Sequence, residues 1–571
     1  MARVKTIQTN FTGGEFSPRL EGRVDFDKYF NSCKTLENMQ CFAHGGARRR
    51  PGTAFVAEVK TSSKAVRLIP FEFSTTQAYI IEFGDQYIRF YKDNGQITSG
   101  GSAYEVATPW LEAELFDLQF AQSADVMWVV HPNHQPRKIT RTGHTSWTVA
   151  TYAPTGNAFS SSDNYPSCVT FWQERLWFAN TNTDPQTIWA TKSGDFENMD
   201  LGSAAAGDGI KLTIASGKVN VIRYLAPSRV LLVGTTGGEF ALRGATTDEG
   251  VTPSNVNVRS ESTYGTKNVM PLRSEAAVLF IQRAGRKLRE LRYKYDSDSY
   301  SADDLTILAE HVTEGGVTQL EYVQQPDPII WAVRADGTLL GLTYETAHKV
   351  LAWHRHTTDG SFESVAVIPN PAGTADELWC VVNRTVDGAT KRYVEYFTDT
   401  YFTDSTLAYD GSSTASLSGL SHLEGKSVAI RGIAATSNQT DYAVYPSQTV
   451  DSAAVAVSPN VTKAQIGLGF TSTLKTQRPE INTGQGTSQG TKRRYSEIFV
   501  RLYESLGVEI NGDQLPFRSS ADEMDSPPAL FTGDKRVSNL GWDREGRIEV
   551  KQTQPLPLQV SAIFGTFETH D

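Results

Sequence analysis

The chain has 571 residues, enough for more than one domain and a large hydrophobic core. Its 54 Lys and Arg residues against 64 Asp and Glu give a formal net charge of −10, which excludes a protein that coats nucleic acid, because phosphate binding needs surplus cations. No apolar run approaches the ~18 residues that span a bilayer, and the first ten residues do not resemble a secretion signal. We therefore expect synthesis in a cytoplasm, with the four scattered cysteines as thiols.

Residues 1–52 are predicted to form an N-terminal arm followed by one amphipathic helix. Residues 1–24 are polar and punctuated by glycine and proline, which is typical of an extended arm. Asp25 can cap a helix, and apolar residues then follow at helical spacing: Phe26, Tyr29, Phe30, Cys33 and Leu36. The glycines and the proline of HGGARRRPG, residues 44–52, cannot continue this helix, so the prediction ends it before them.

Seven similar hairpins between residues 79 and 397 form the strongest pattern in the chain. Each has a short apolar run, a polar or glycine-containing turn and a second apolar run, as in LWFANTNTDPQTIWATKSGDF, residues 176–196. The hairpins start at 79, 126, 176, 230, 278, 329 and 378, about 50 residues apart, a period typical of propeller blades.

The period predicts an all-β chain with a β-propeller of about seven blades over residues 53–400. Six or eight blades would fit the same spacing. The alternative is an ordinary all-β chain with unevenly spaced hairpins, because no strict blade motif recurs.

Residues 401–571 are predicted to form a separate C-terminal domain, a small β-barrel or sandwich. Short apolar segments follow one another here at closer spacing, beginning with VAIRGI at residues 428–433. The sequence NTGQGTSQGTK, residues 482–492, is rich in glycine, serine and threonine and is predicted to be a mobile loop.

The sequence predicts no catalytic, cofactor-binding or metal site, and hence no enzyme. GTSQG at residues 486–490 matches the G-x-S-x-G pattern, but a nucleophile elbow needs a strand before it and a helix after it. His131 and His134 flank a turn, and His354 and His356 would share one face of a strand. Two ligands do not close a zinc site, and no third ligand stands at metal spacing near either pair.

Two dense basic clusters are candidates for contact with DNA or with an acidic partner surface. They consist of Arg48, Arg49 and Arg50, and of Lys492, Arg493 and Arg494. The alternative is that these charges are solvated in loops or paired inside the fold.

Four aromatic residues raise a second functional hypothesis. If they were exposed at the ends of blades they could stack on sugars, whereas the alternative is that they pack between blades. They are Trp147, Tyr152, Trp172 and Trp353. Exposure would favour a receptor- or glycan-binding, or even hydrolytic, tail propeller; a host β-propeller that scaffolds other proteins is a third hypothesis.

The order of motifs in the first 56 residues resembles one protein family. Residues 11–56 read FTGGEFSPRLEGRVDFDKYFNSCKTLENMQCFAHGGARRRPGTAFV, a Gly-Gly and Ser-Pro segment, an aromatic segment, a Gly-Gly turn and Arg-Pro-Gly before a strand. This order is similar to that of tail tubular protein B, the nozzle of short-tailed (podoviral) bacteriophages. Later stretches resemble phage tail proteins of the same kind, namely residues 120–139, 165–179, 303–311 and 422–430.

The resemblance implies a structural virion protein of the phage tail, without catalysis or a cofactor. Six copies would form a ring beneath the head-to-tail adaptor, continue the channel for double-stranded DNA ejection, and carry tail fibres or spikes. An acidic protein suits a channel wall that must not hold DNA, because like charge keeps the duplex off the surface.

Overall fold

The computed structural model describes residues 2–570 except 157, 216, 218–219, 247–248, 436–440, 481, 484–485, 521, 523–525 and 539–540. Its described part is nearly all β, and its helices are short 3₁₀ turns at Pro18–Leu20, Asp27–Asn31, Glu112–Asp117, Tyr295–Ser297 and Ser421–Leu423. The predicted loop at residues 482–492 lies partly outside the described residues.

Seven antiparallel sheets of about four strands, which we call blades 1 to 7, occupy the middle of the chain. The seven predicted hairpins are the second and third strands of these blades. In blade 1 the fourth position is shared with Gly95–Gln96, and the hairpin Thr98–Ser99 and Ser102–Ala103 follows it. The strands of the first four blades are Arg67–Ser74, Gln77–Gly84, Tyr87–Lys92 and Glu105–Ala107; Gln119–Ser123, Val126–His131, His134–Gly143 and Ser146–Thr151; Cys168–Trp172, Arg175–Ala179, Thr187–Ala190 and Ile210–Thr213; Ile222–Pro227, Leu231–Thr235, Glu239–Arg243 and Asn257–Ser262.

Blades 5 to 7 follow the same plan, except that blade 7 takes its fourth strand from the start of the chain. Their strands are Leu272–Ser274, Ala277–Ile281, Leu288–Lys294 and Ser299–Asp304; Val317–Val323, Ile329–Arg334, Leu339–Glu345 and Val350–His356; Ser361–Pro369, Asp376–Val386, Ala389–Thr398 and Gly52–Glu58.

A separate hydrophobic core lies between each pair of neighbouring blades, and together these cores close a ring. The last core joins Leu68 and Ile80 of blade 1 to Ala366 and Trp379 of blade 7. The other six join successive blades from 1 to 7. Blade strands are apolar on both faces because each sheet packs between two others, and burying each large side chain contributes about 1.5–3 kcal/mol. The predicted β-propeller is confirmed, with seven blades.

The strand order fixes which loops meet at each end of the propeller. Because neighbouring strands are antiparallel, the turns between second and third strands lie at the same end as the connections between blades. We call this end the entry face. The turns between first and second strands, and between third and fourth, lie at the opposite end, the exit face.

The predicted helix over residues 25–36 is wrong. Asp27–Asn31 forms one 3₁₀ turn, and the chain then extends as the strand Ser32–Glu37. Tyr29, Cys33 and Leu36 are buried as the helical stripe required. The strand forms because its neighbours supply partners on both edges, and this tertiary pairing overrides a weak local preference.

The N-terminal residues run along the outer edges of blades 6 and 7, and we call residues 11–58 the clamp segment. Ser32–Glu37 lies beside the fourth strand of blade 6, and Gly14–Glu15 pairs with Ser32–Cys33 in parallel. Gly52–Glu58 completes blade 7. The predicted arm is also paired at its start, where Ala2–Gln8 lies against Gln559–His570. The first and last parts of the chain therefore fold together.

Residues after blade 7 form two bodies with separate cores. The first is a sheet that continues blade 7 outward through Asp404–Ser418, Ala454–Leu468, Ser427–Ala434 and Ala443–Thr449. The second packs two sheets around a core that includes Phe11, Leu36 and Ile498. Its sheets contain Ser472–Thr476, Glu549–Gln552, Glu509–Ile510 and Asp513–Gln514 beside Ser32–Glu37, and Lys492–Ser505, Phe531–Ser538, Gln559–His570, Met39–Cys41, Ala47–Arg49 and Ala2–Gln8. Asn482–Thr483 and Gly486–Thr487 form a small hairpin.

Candidate interaction sites

Polar side chains cross the propeller axis at the entry face. Gln119 of blade 2 donates from Nε2 to the carbonyl oxygen of Arg223 in blade 4, at 2.6 Å. Arg67 of blade 1 donates to the carbonyls of Leu115 and Leu118, and its Nη2 lies 3.9 Å from Sδ of Met270, in the connection to blade 5. Groups from non-adjacent blades are therefore in contact, and the axis of a single copy is closed at this level.

A cleft at the exit face between blades 4 and 5 is lined by arginine and tyrosine, and we call it the Arg–Tyr cleft. It encloses about 480 Å³ and is formed by the first-to-second turns of both blades and the outer strands beside them. Its basic and aromatic lining residues are Arg229, Arg243, Arg259, Arg292, Tyr293, Tyr295 and Tyr300.

The cleft combines positive charge with exposed aromatic surface. Tyr295 is 87% exposed, and the rings of Tyr293 and Tyr300 meet edge to face at 5.5 Å. Two carboxylates line the cleft: Asp298 accepts a hydrogen bond from the Tyr293 hydroxyl at 2.7 Å, and Glu261 accepts one from the Tyr300 amide at 3.2 Å. Four guanidinium groups against two carboxylates make this a basic site on an acidic protein, a combination that suits an anionic ligand.

Three of the six predicted contact residues are used inside the fold, and for them the prediction is wrong. Arg49 donates to the carbonyls of Phe402 and Phe470, and Arg50 pairs with Asp404. Arg493 donates to the carbonyls of Pro479 and Ser488 and pairs with Glu480 at 3.2 Å. All three are fully or almost fully buried. They lie on strands that alternate between core and surface, so adjacent arginines in the sequence do not form one basic patch.

The other three cluster residues reach the surface at least partly. Arg48 lies 3.3 Å from Asp399 and stacks over Phe42, and Arg494 binds Glu568 at 2.8 Å. Lys492 is exposed at the start of a long strand. Contact of Arg48, Lys492 and Arg494 with DNA or a partner stays a prediction.

The four aromatics proposed for sugar stacking are buried, so that prediction is wrong. Trp147 packs against Phe71 and Phe90 in the core between blades 1 and 2. Trp172, Tyr152 and Trp353 lie in other interblade cores, and the indole Nε1 of Trp353 donates to the Leu305 carbonyl. Wide rings fill the space where neighbouring blades diverge, which explains their positions.

His354 and His356 share one face of the fourth strand of blade 6, as predicted from the strand alternation. Both side chains are completely buried, and Nδ1 of His354 lies 2.6 Å from Nε2 of His356. Thr343 Oγ1 lies 3.3 Å from Nε2 of His354 and donates to the Cys41 carbonyl, a clamp-segment residue. Burial lowers the pKa of His354 to about 3, and burial and the neighbouring imidazole hold the pKa of His356 well below its usual value.

This pair predicts a loss of stability in mild acid. The histidines stay neutral in the folded state but bind protons in the unfolded state below pH ~6.5, so stability falls as pH drops from there towards the folded pKa. His354 alone then contributes a loss of about 2 kcal/mol between pH 7 and pH 5. In His354→Gln, the difference in unfolding free energy between these pH values should shrink by that amount. Substitution of the exposed His348 should leave the difference unchanged, and equal pH dependence of both variants would contradict the prediction.

A third pair of ligand types meets a carboxylate that the sequence analysis did not connect with it. Glu114, on the 3₁₀ turn before blade 2, accepts a hydrogen bond from Nε2 of His134 at 2.7 Å, and Nδ1 of His131 lies 4.0 Å from its other oxygen. Burial works to raise the pKa of Glu114, but hydrogen bonds from the Leu111 amide, Asn133 and His134 lower it to about 2. The carboxylate is therefore ionised at neutral pH.

Comparisons with known proteins add little to this geometry. No helix among the described residues is long and apolar enough to cross a membrane. No family model matches the chain, and no curated protein matches it.

Solved structures that align with the chain include three with WD40-type or related titles. They are the RRP9 WD40 repeats (8% identity, TM-score 0.40, 62% of this chain and 100% of that chain), U3-55K (9%, 0.38, 61% and 100%) and the WD40 domain of Neurospora crassa Pan2 (9%, 0.36, 61% and 94%). The propeller assignment rests on the seven sheets and the closed ring of cores.

Proposed function

We propose that the chain is a nozzle subunit of a short-tailed bacteriophage tail, similar to tail tubular protein B. Six copies would form a ring below the head-to-tail adaptor in the virion, after synthesis in the host cytoplasm. The ring would bear fibres or spikes and let double-stranded DNA pass without sequence-specific binding. The protein has no catalytic role in this proposal.

The observation that supports this proposal most is the use made of the motifs that carry the resemblance. Glu15, from Gly-Gly-Glu, is buried and accepts hydrogen bonds from the Leu36 amide and from His311 and Arg355, at 2.8–2.9 Å. Arg50, from Arg-Pro-Gly, is buried against Asp404. A motif order that builds the clamp on blades 6 and 7 is specific to this architecture, and a propeller tied at its edges suits a tube under mechanical stress.

The closed axis decides where a DNA channel would run. Gln119 and Arg67 cross the axis of a single copy, so a duplex cannot pass through one propeller. The channel of the proposed nozzle therefore lies between copies, and its formation requires the ring. A formal charge of −10 on each subunit keeps such a wall from gripping the phosphate backbone.

Mass photometry and electron microscopy test the proposal directly. The protein is examined alone and mixed with the adaptor protein encoded beside its gene, and purified virions are labelled with an antibody against it. We expect a discrete six-copy ring on the adaptor and label confined to the tail. Monomers at every concentration with the adaptor present, or virions without label, would refute the proposal.

The Arg–Tyr cleft favours a second candidate function, binding of an anionic glycan by the tail. Its volume of about 480 Å³ suits a short saccharide, its arginines suit carboxylate or phosphate groups, and exposed Tyr295 offers a ring for stacking. The proposal concerns binding without hydrolysis.

Charge reversal in the cleft tests this second function. Arg259→Glu should weaken binding of acidic glycans at least about 10-fold, because it replaces an attractive charge by a repulsive one. Arg286→Glu is the control, since Arg286 is a solvent-exposed arginine of blade 5 that does not line the cleft. Binding is measured on an array of acidic and neutral glycans and by calorimetry. Absence of acidic-glycan binding, or equal loss in both variants, would exclude the function.

A further inference from the structure

Glu114, His131 and His134 come from two parts of the chain that meet at the entry face. Glu114 belongs to Glu112–Asp117, in the connection from blade 1 to blade 2. His131 ends the second strand of blade 2 and His134 begins the third, so they flank the turn between these strands. Connections and second-to-third turns share this face, which explains how residues far apart in the sequence converge.

The three side chains direct their ligand atoms at one point. A carboxylate oxygen of Glu114 and one ring nitrogen from each histidine all lie within 4.8 Å of one another. Among the residues that the structure describes, this is the one group of three His, Cys, Asp or Glu side chains with that property. His131 is almost fully buried, while Glu114 and His134 are only partly exposed, so an ion can enter and its ligands are well ordered.

Neighbouring groups orient each ligand before any ion arrives. The Leu111 amide donates to Oε2 of Glu114 at 2.9 Å, and Nδ2 of Asn133 donates to Oε1 at 3.0 Å. The Asn133 amide donates to Nδ1 of His131 at 3.2 Å, so this nitrogen carries a lone pair rather than a proton. Metal sites depend on such supporting hydrogen bonds, which hold carboxylates and fix imidazole tautomers.

We propose that Glu114, His131 and His134 bind a divalent transition-metal ion, for which Zn²⁺ is the probe. Two imidazoles and one carboxylate are the ligands that Zn²⁺ takes in three-residue protein sites, and the fourth position stays open to water. Coordination replaces the hydrogen bond between His134 and Glu114. The proton on Nε2 of His134 moves to Nδ1 through solvent, so His134 stays neutral and no oxidant or reductant is needed.

The ion would join the connection between blades 1 and 2 to the second blade. In its absence the contact depends on the hydrogen bonds of one carboxylate. With the ion bound, three coordinate bonds tie Glu112–Asp117 to the two strands that flank the turn. Binding to the folded state alone raises the thermal midpoint as the Zn²⁺ concentration increases above the dissociation constant.

Calorimetry and Co²⁺ spectroscopy on the full chain test the site. The protein is treated with a chelator, dialysed and titrated with Zn²⁺, with Co²⁺ as a coloured substitute, and with Mg²⁺ as a hard cation that prefers oxygen ligands. We expect one Zn²⁺ per chain, a tetrahedral Co²⁺ absorption spectrum that Zn²⁺ abolishes, and no comparable binding of Mg²⁺.

Matched variants separate the site from adventitious binding. His134→Asn and Glu114→Gln should each weaken Zn²⁺ binding at least about 10-fold, and Asn133→Ala should weaken it about 10-fold by releasing the carboxylate. His348→Asn is the control, because His348 and Glu345 form an exposed pair at 3.9 Å that is not part of a three-ligand group. Circular dichroism verifies that each variant is folded. No saturable Zn²⁺ binding to the wild type, or unchanged affinity in His134→Asn, would overturn the proposal.

Discussion

Replacing Asp404 with alanine is expected to lower the free energy of unfolding by about 3–5 kcal/mol, because it leaves the Arg50 guanidinium buried without its counterion. The two side chains are 0% and 1% exposed, and Arg50 donates to both carboxylate oxygens at 2.7 and 2.6 Å. Arg50 also donates to Asn38 Oδ1 and the Thr357 carbonyl, each at 2.9 Å. The lost charge partner therefore loosens the clamp segment, blade 6 and the sheet after blade 7 together.

The measurement is a denaturant titration at neutral pH with two comparison variants. Asp410→Ala removes a pair with Lys463 of similar length, 3.0 Å, but on the surface, and should leave the midpoint unchanged. The double replacement Arg50→Met with Asp404→Leu removes both charges and should recover at least half of the loss. Equal midpoints for Asp404→Ala and Asp410→Ala would show that burial does not set the value of this ion pair.

The propeller could be predicted from the sequence because its signal is local and repeated. Each blade needs two adjacent apolar strands joined by a turn, and the seven hairpins from residues 79 to 397 supply them. The fourth strand of blade 7 could not be found this way. Gly52–Glu58 lies more than 300 residues before its neighbour Ala389–Thr398, so no periodic pattern links them.

The clamp segment shows why a helical pattern failed. Tyr29, Cys33 and Leu36 stand at helical spacing and are buried, but they face different partners along an extended strand. Spacing alone does not distinguish these arrangements over so short a segment. The strand partners lie near residues 355 and 474, and only the closed fold brings them together.

The candidate sites depended on knowledge that only the folded blades supply. Arg49 and Arg50 looked like a basic patch because the sequence does not show that the chain buries both. Glu114 stood 17 residues before His131 and was not connected with it. Once a propeller was predicted, the shared face of blade connections and second-to-third turns was a signal that could have joined them.

The clamp itself is tested by Gly14→Ala, for which we expect a loss of about 2–5 kcal/mol in the free energy of unfolding. Gly14 has φ of +65°, and a Cβ there would lie 2.3 Å from the amide nitrogen of Trp353 and 2.7 Å from Cα of Ala352. Both contacts are to the backbone of blade 6, so no side-chain rotation can relieve them. The clamp segment would move away and break the hydrogen bonds of Glu15.

Gly425→Ala separates this contact from the conformational cost of a left-handed residue. Gly425 has φ of +72°, and no described atom lies within 4 Å of its added Cβ, so only the backbone penalty of about 1–2 kcal/mol applies. Limited proteolysis should release the N-terminal segment from Gly14→Ala and leave Gly425→Ala intact, because only the first variant frees residues 11–58 from blade 6. If both variants lose the same stability and resist protease equally, close approach at Gly14 does not hold the clamp, and the motif order that it carries has lost its structural reason.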